Sequence, residues 1–207
     1  RENFSKALSS YVASLYSYES DFDQFMRNEK EISSDVKKGF NLFMGKANCA
    51  TCHFAPTFSG LVPPFFNENE SEVLGITAKP LSDKPLEVDA DKGRINSPVK
   101  KENSWIYENS FKTVTVRNVA LTKPYFHNGA FGTLEEVLEF YNEGGGEGLG
   151  LKINNQTLAA DKLNLTPKEI KQIIAFLNSL TDGCFSRDIP IFDLRDIAIH
   201  RSLWDMK

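Results

Sequence analysis

The chain has 207 residues, 41% of them hydrophobic, and 24 Lys and Arg against 28 Asp and Glu give a formal net charge of −4. That length can bury a core in one domain with an appendage, without disulfide staples; the slightly acidic balance argues against a nucleic-acid binder, and three cysteines are too few for a disulfide scaffold. Apolar runs such as Ile173-Ile174-Ala175-Phe176-Leu177 fall far short of the roughly 20 residues that span a bilayer, so no membrane span is expected.

Arg1-Glu2-Asn3 opens straight into an amphipathic pattern and not a signal peptide. Phe4, Ala7, Leu8, Tyr11, Val12 and Leu15 recur at helical spacing and predict a first helix. A charged stretch, Arg27 to Glu31, separates it from a second, capped by Ser33 or Ser34, with Val36, Phe40 and Phe43 on its apolar face. From about Phe54 to Ser110 the periodicity disappears, prolines punctuate the chain, and a long ordered loop is expected to pack on something, such as a cofactor. Thr133 and Glu136 form a capping box for a helix whose stripe is Leu134, Val137, Leu138 and Tyr141, ended by Gly144-Gly145-Gly146. Thr166, Pro167 and Glu169 open another, with Ile170, Ile173, Ile174, Leu177 and Leu180 buried and Gly183 at its cap. Asp188 to Lys207 has no clear period. The expected class is all-α with long ordered loops.

The second helix runs into Cys49-Ala50-Thr51-Cys52-His53, the c-type haem attachment pattern. Two cysteines three apart can each form a thioether to a haem vinyl, and the adjacent imidazole then becomes an axial ligand. A redox dithiol would want a βαβ context. A zinc site would want a second ligand pair, whereas His127, Cys184 and His200 are scattered. Haem c accounts for Cys49 and Cys52 and leaves Cys184 as a small buried hydrophobe. Haem c attachment outside the cytoplasmic membrane implies a periplasmic protein already processed.

With that motif in place, Lys46 to His53, the run Phe111-Lys112-Thr113-Val114-Thr115-Val116-Arg117-Asn118-Val119-Ala120-Leu121-Thr122-Lys123-Pro124-Tyr125-Phe126-His127-Asn128-Gly129, then Thr133-Leu134-Glu135-Glu136 and Tyr141-Asn142-Glu143-Gly144-Gly145 closely resemble the C-terminal half of the bacterial di-haem cytochrome c peroxidase and MauG family. The resemblance covers roughly residues 1 to 182; Val114 stands where proline is usual. It implies a cytochrome-c-like domain with a six-coordinate haem at residues 31–185. Residues 1–30 would be the connecting helix from an N-terminal peroxidatic haem domain, or from a separate chain, that binds hydrogen peroxide, and residues 186–207 an extension.

The resemblance also implies site residues. The family's second axial ligand comes from the helix after the PYFHNG stretch, methionine in the peroxidase branch and tyrosine in the MauG branch; here that position is Tyr141, and no methionine lies between Met44 and Met206. His127 is the rival ligand, and an ordinary core tyrosine the bland alternative. Axial identity moves haem potentials over about 0.8 V. Methionine raises the potential, whereas tyrosinate favours ferric and higher states. The backbone carbonyls of Thr122 and Pro124 match an inter-domain calcium site. Arg117 is a candidate partner for a haem propionate, and Trp105 and Tyr107 for a redox relay. A small redox protein donor or a partner-protein substrate would complete a peroxidase or a MauG-like oxidase. The alternative is a mono-haem cytochrome c that only carries electrons.

Overall fold

The computed structural model describes residues 2–14, 17–97 and 103–182. Expectations for Cys184, Gly183, His200, Trp204 and the 186–207 extension lie outside the described residues.

Helices form where apolar stripes coincide with caps. Ser33 accepts from the Val36 N–H at the start of α3 (Ser34–Met44), and Thr133 and Thr166 pair reciprocally with Glu136 and Glu169 at the starts of α4 (Leu134–Asn142) and α6 (Pro167–Ser179). The first helix, α1 (Glu2–Ser14), also forms. Its apolar residues lie outside the core, with Phe4 70% and Val12 63% exposed. A further short helix, α2 (Asp21–Met26), lies where only a polar spacer was expected nearby; Ser20 and Asp23 make its capping box. It brings Phe22 into the core.

The core is an aromatic knot. Phe22, Phe40, Phe43 and Phe58 surround Phe176, with ring centroids 5.0 to 5.6 Å from it. It closes because α3 and α6 cross closely at Gly39, where a Cβ would lie 1.9 Å from the Gln172 carbonyl oxygen. A smaller cluster of Ile76, Phe131 and Phe140 sits on the other face of α4 and takes in Phe126 and Tyr141.

The structure adds a two-stranded antiparallel sheet to the all-helical expectation. β1 (Ser71–Val73) pairs with β2 (Ser110–Lys112) in the register Ser71↔Lys112, Glu72↔Phe111 and Val73↔Ser110. Three-residue strands carry too little alternation to stand out against irregular neighbours. Among the described residues between them are the short 3-10 turns Arg94–Asn96 and Ser104–Tyr107 and the isolated bridge Thr77↔Val88, joined by irregular chain. After α4, Gly144 takes φ +86°, and a Cβ there would meet the Ala160 carbonyl oxygen at 2.2 Å. The chain then turns through the short α5 (Gly145–Gly148).

Candidate haem-binding site

Helix α3 ends at Gly45, Asn48 adopts the left-handed conformation, and Cys49–Thr51 forms one tight turn. The His53 N–H donates to the Cys49 carbonyl at 2.9 Å, so the whole motif wraps within a single helical turn. Cys49 and Cys52 therefore sit three apart on one side with the imidazole beside them. Lys46, just before, is anchored to the start of α6 by Glu169 at 2.8 Å and the Asn164 carbonyl at 2.9 Å.

The imidazole is held from one ring nitrogen. His53 Nδ1 lies 3.2 Å from the Phe58 carbonyl, which can only accept, so Nδ1 carries a proton. Burial pushes the imidazole toward its neutral form, against hydrogen bonds to the Phe58 and Val114 backbone that favour charge. A neutral imidazole with Nδ1–H on a carbonyl is the arrangement of a metal-ligating histidine. Burial drives the free Cys49 thiol up to about 12 and the Cys52 thiol upward too, the latter aided by Glu72 and Glu70. The Cys52 sulfur and one carboxylate oxygen from each of Glu70 and Glu72 lie within 4.8 Å of one another. Sequence reasoning missed these two acids; the spacing Glu70-x-Glu72, one face of a strand, was the available signal.

Tyr141 projects from the end of α4 into the second cluster, its ring 6.1 Å from Phe126 and 5.7 Å from Phe140. Asn142 pins that end, accepting from the Leu165 N–H at 2.8 Å and the Leu163 N–H at 3.1 Å. Burial raises the phenol, and Cys49, Cys52 and Glu72 lie close enough to raise it further. The phenol thus shares a neighbourhood with the two cysteines, and a cation there would be needed to draw its proton off. Two thiols on one turn, a buried imidazole held through Nδ1 and a buried tyrosine near both cysteines fit a covalent haem.

The geometry shows the partners of two further candidates. Arg117 donates to Asp23 at 2.8 Å through both Nη1 and Nη2, to the Pro56 carbonyl at 3.1 Å and 2.9 Å, and to the Ser17 carbonyl at 3.0 Å. A guanidinium has five N–H donors, and all are spent inside the protein, leaving none for a propionate. His127 faces Asp89, with Nε2 3.3 Å from its carboxylate, and stacks on Phe111 at 3.5 Å. These contacts tie the turn that carries His127 to Asp89 and Phe111.

The remaining candidates are peripheral. Thr122 and Pro124 are exposed and follow the turn Val119–Leu121. Among the described residues the one grouping of three His, Cys, Asp or Glu ligands lies at Cys52, away from them. Trp105 is 64% exposed, and Tyr107 sits under the Arg94 guanidinium at 4.7 Å.

No family model matches the chain. Among proteins of known name, it is 31% identical over 185 residues to a cytochrome-c peroxidase of Pseudomonas sp. strain SCT, covering 84% of this chain and 47% of that one. It is 30% identical over 175 residues to the methylamine utilization protein MauG of Methylorubrum extorquens, covering 84% and 42%. The crystal structure of a MauG-like protein associated with microbial copper homeostasis superposes with a TM-score of 0.60 at 25% identity, over 81% of this chain and 49% of that one. The diheme peroxidase BthA of Burkholderia thailandensis shares the fold, with a TM-score of 0.59 at 18% identity over 80% and 47%. The chain spans about half the length of these relatives.

Proposed function

Over most of its length the chain is a homologue of the cytochrome c peroxidases and MauG proteins, and from that premise we propose that it is the six-coordinate haem c domain of a di-haem peroxidase-type oxidoreductase. The observation that carries the reading is the joint placement of Cys49, Cys52, a His53 held through Nδ1 by the Phe58 carbonyl, and Tyr141.

Cys49 and Cys52 would hold the group by thioethers, and His53 and Tyr141 would supply ligands to its iron. Bound there, a haem supplies a reversible one-electron centre. The chain's own residues set the sign of its bias: the Phe58 carbonyl strengthens His53 as a donor, Tyr141 contributes an anionic oxygen, and Glu70 and Glu72 add negative charge beside Cys52. All three favour the oxidised state over the reduced one. Such a centre shares an oxidising equivalent more readily than it stores a reducing electron, which favours MauG-like oxidation of a protein side chain over acceptance of electrons from a small redox donor.

The peroxide-binding haem belongs on a second domain or chain, with α1 as the connecting helix and residues 31–185 as the cytochrome-c-like unit. The compartment is periplasmic. Calcium at the Thr122 and Pro124 carbonyls would need oxygens from that other half. Haem stoichiometry with native mass on the protein from its host tests the reading: two haems per particle with a peroxide-dependent turnover support it. A single haem on a chain inert to peroxide would instead make it a mono-haem electron carrier, the reading favoured by its single attachment motif.

A further inference from the structure

We infer that Arg117 is a positioning residue for the axial imidazole, clamping the loop that orients His53 to Ser17–Asp23, the segment by which the chain enters the domain. The inference rests on the reading of His53 as the haem-iron ligand.

The loop between His53 and Ser59 presents three successive carbonyls, and three successive residues receive them. Arg117 takes the Pro56 carbonyl through Nε and Nη2, the Thr115 hydroxyl donates to the Thr57 carbonyl at 2.6 Å, and the Val116 N–H donates to the Phe58 carbonyl at 2.9 Å. The last of these carbonyls also faces His53 Nδ1. Phe58 itself adopts φ +48°, a left-handed conformation that costs a bulky residue on the order of 1–3 kcal/mol. Its ring is held in the aromatic core and its carbonyl by Val116, so both ends of the residue are fixed by their surroundings.

The other side of Arg117 reaches the chain's entry. Its guanidinium is 4.3 Å from the Tyr18 ring and makes a two-point pair with Asp23, whose carboxylate is also held by the Ser20 hydroxyl. Both partners are buried, with side chains 7% and 11% exposed. Asn118, next in sequence, donates to the Ser17 hydroxyl at 2.9 Å and accepts the Asp182 N–H at 2.7 Å, so the end of the domain joins the same node. A displacement of the entering segment therefore reaches the Nδ1 hydrogen bond through Arg117, the Pro56 carbonyl it holds and the Phe58 carbonyl two residues further on. Buried polar networks of this kind hold one geometry because any half-made alternative leaves a charge unpaired.

Weakening the Nδ1–H bond makes His53 a poorer donor and disfavours the ferric state, so the midpoint potential rises. The test uses the full-length holoprotein, with potentiometric titration, the paramagnetically shifted resonances of the iron-bound imidazole and thermal melting measured on each variant. Arg117→Gln is expected to raise the potential and shift the imidazole resonances. Arg117→Lys, which keeps the charge and can reach one carbonyl, is expected to recover part of both. Asp23→Asn leaves the three loop carbonyls paired but loosens the guanidinium, and a smaller shift of the same sign is expected.

A lowered melting temperature with potential and resonances unchanged would overturn the inference and leave Arg117 as a structural ion pair. Should Arg117→Gln fail to accumulate as holoprotein, Arg117→Lys and Asp23→Asn decide, and wild-type values in both overturn it. A wild-type protein without the signature of an iron-bound imidazole would overturn the haem-ligand reading as well, which separates the two failures.

Discussion

Replacing Gly39 by alanine probes the contact on which the haem-bearing turn is built. A Cβ at this position would lie 1.9 Å from the Gln172 carbonyl oxygen, 2.5 Å from its carbon and 3.0 Å from the Phe176 Cβ. The obstacle is the backbone of α6, so no rotamer change relieves it, and α3 and α6 must part locally by more than an ångström. That motion pulls Phe176 away from Phe40 and Phe43, now 5.3 and 5.2 Å from it. Overpacking a dense core costs about 1–3 kcal/mol and sometimes more, while alanine regains about 1 kcal/mol of helix propensity over glycine. A main-chain obstacle puts the gross cost at or above the top of that range, about 3–4 kcal/mol, so the net loss is about 2–3 kcal/mol, a drop in melting temperature of roughly 4–12 °C for a chain of this size. Thermal and urea unfolding of the holoprotein, followed by circular dichroism, measures it. Gly132→Ala is the control: the nearest atom to its Cβ is the Glu136 carboxylate at 3.7 Å, so stability should stay within about 0.5 kcal/mol of wild type. Equal midpoints for the two variants would refute the close-crossing argument.

Three further outcomes are expected. Phe176→Ala, at a fully buried ring touching four others, should cost about 3–5 kcal/mol in unfolding free energy; a loss below 1 kcal/mol would show that the aromatic knot is loosely packed. Tyr141→Phe should leave the covalent haem in place, alter the ferric absorption spectrum and raise the midpoint potential, and an unchanged spectrum would remove Tyr141 as a ligand. Glu169 is held down to about 2 from an ordinary 4.5 by the Lys46 ammonium first and the Thr166 N–H second. The folded chain therefore binds this proton less readily than the unfolded one, so the contribution is fully present above pH 4.5 and is lost as pH falls toward 2. Melting temperatures of Glu169→Gln between pH 7 and 2.5 should accordingly show a shallower acid limb than wild type, and parallel curves would refute the assignment.

The features legible in the linear sequence were those whose signal is local. Cys49-x-x-Cys52-His53 announces its chemistry because thioether attachment and axial ligation need three residues within one turn. The capping boxes at Thr133 and Thr166 mark helix starts because each is closed between residues three apart. Tyr141 was readable through its place on the α4 stripe and through the family resemblance. Helix α2 was missed although Ser20-x-x-Asp23 carried a cap signal, because six residues give too short a period to see.

What only the tertiary structure decided are the partners that close across long stretches of chain. Arg117 looked available for a propionate until its donors were found on Asp23, 94 residues earlier, and on the carbonyls of Ser17 and Pro56. His127 gave no sign in the sequence of its partners Phe111 and Asp89, 16 and 38 residues earlier. The Phe58 carbonyl that sets the His53 tautomer has no sequence signature, since every residue has a carbonyl and only the fold aims this one. A residue's type states which bonds it can make, and the packing of distant segments settles which of them it has left to offer.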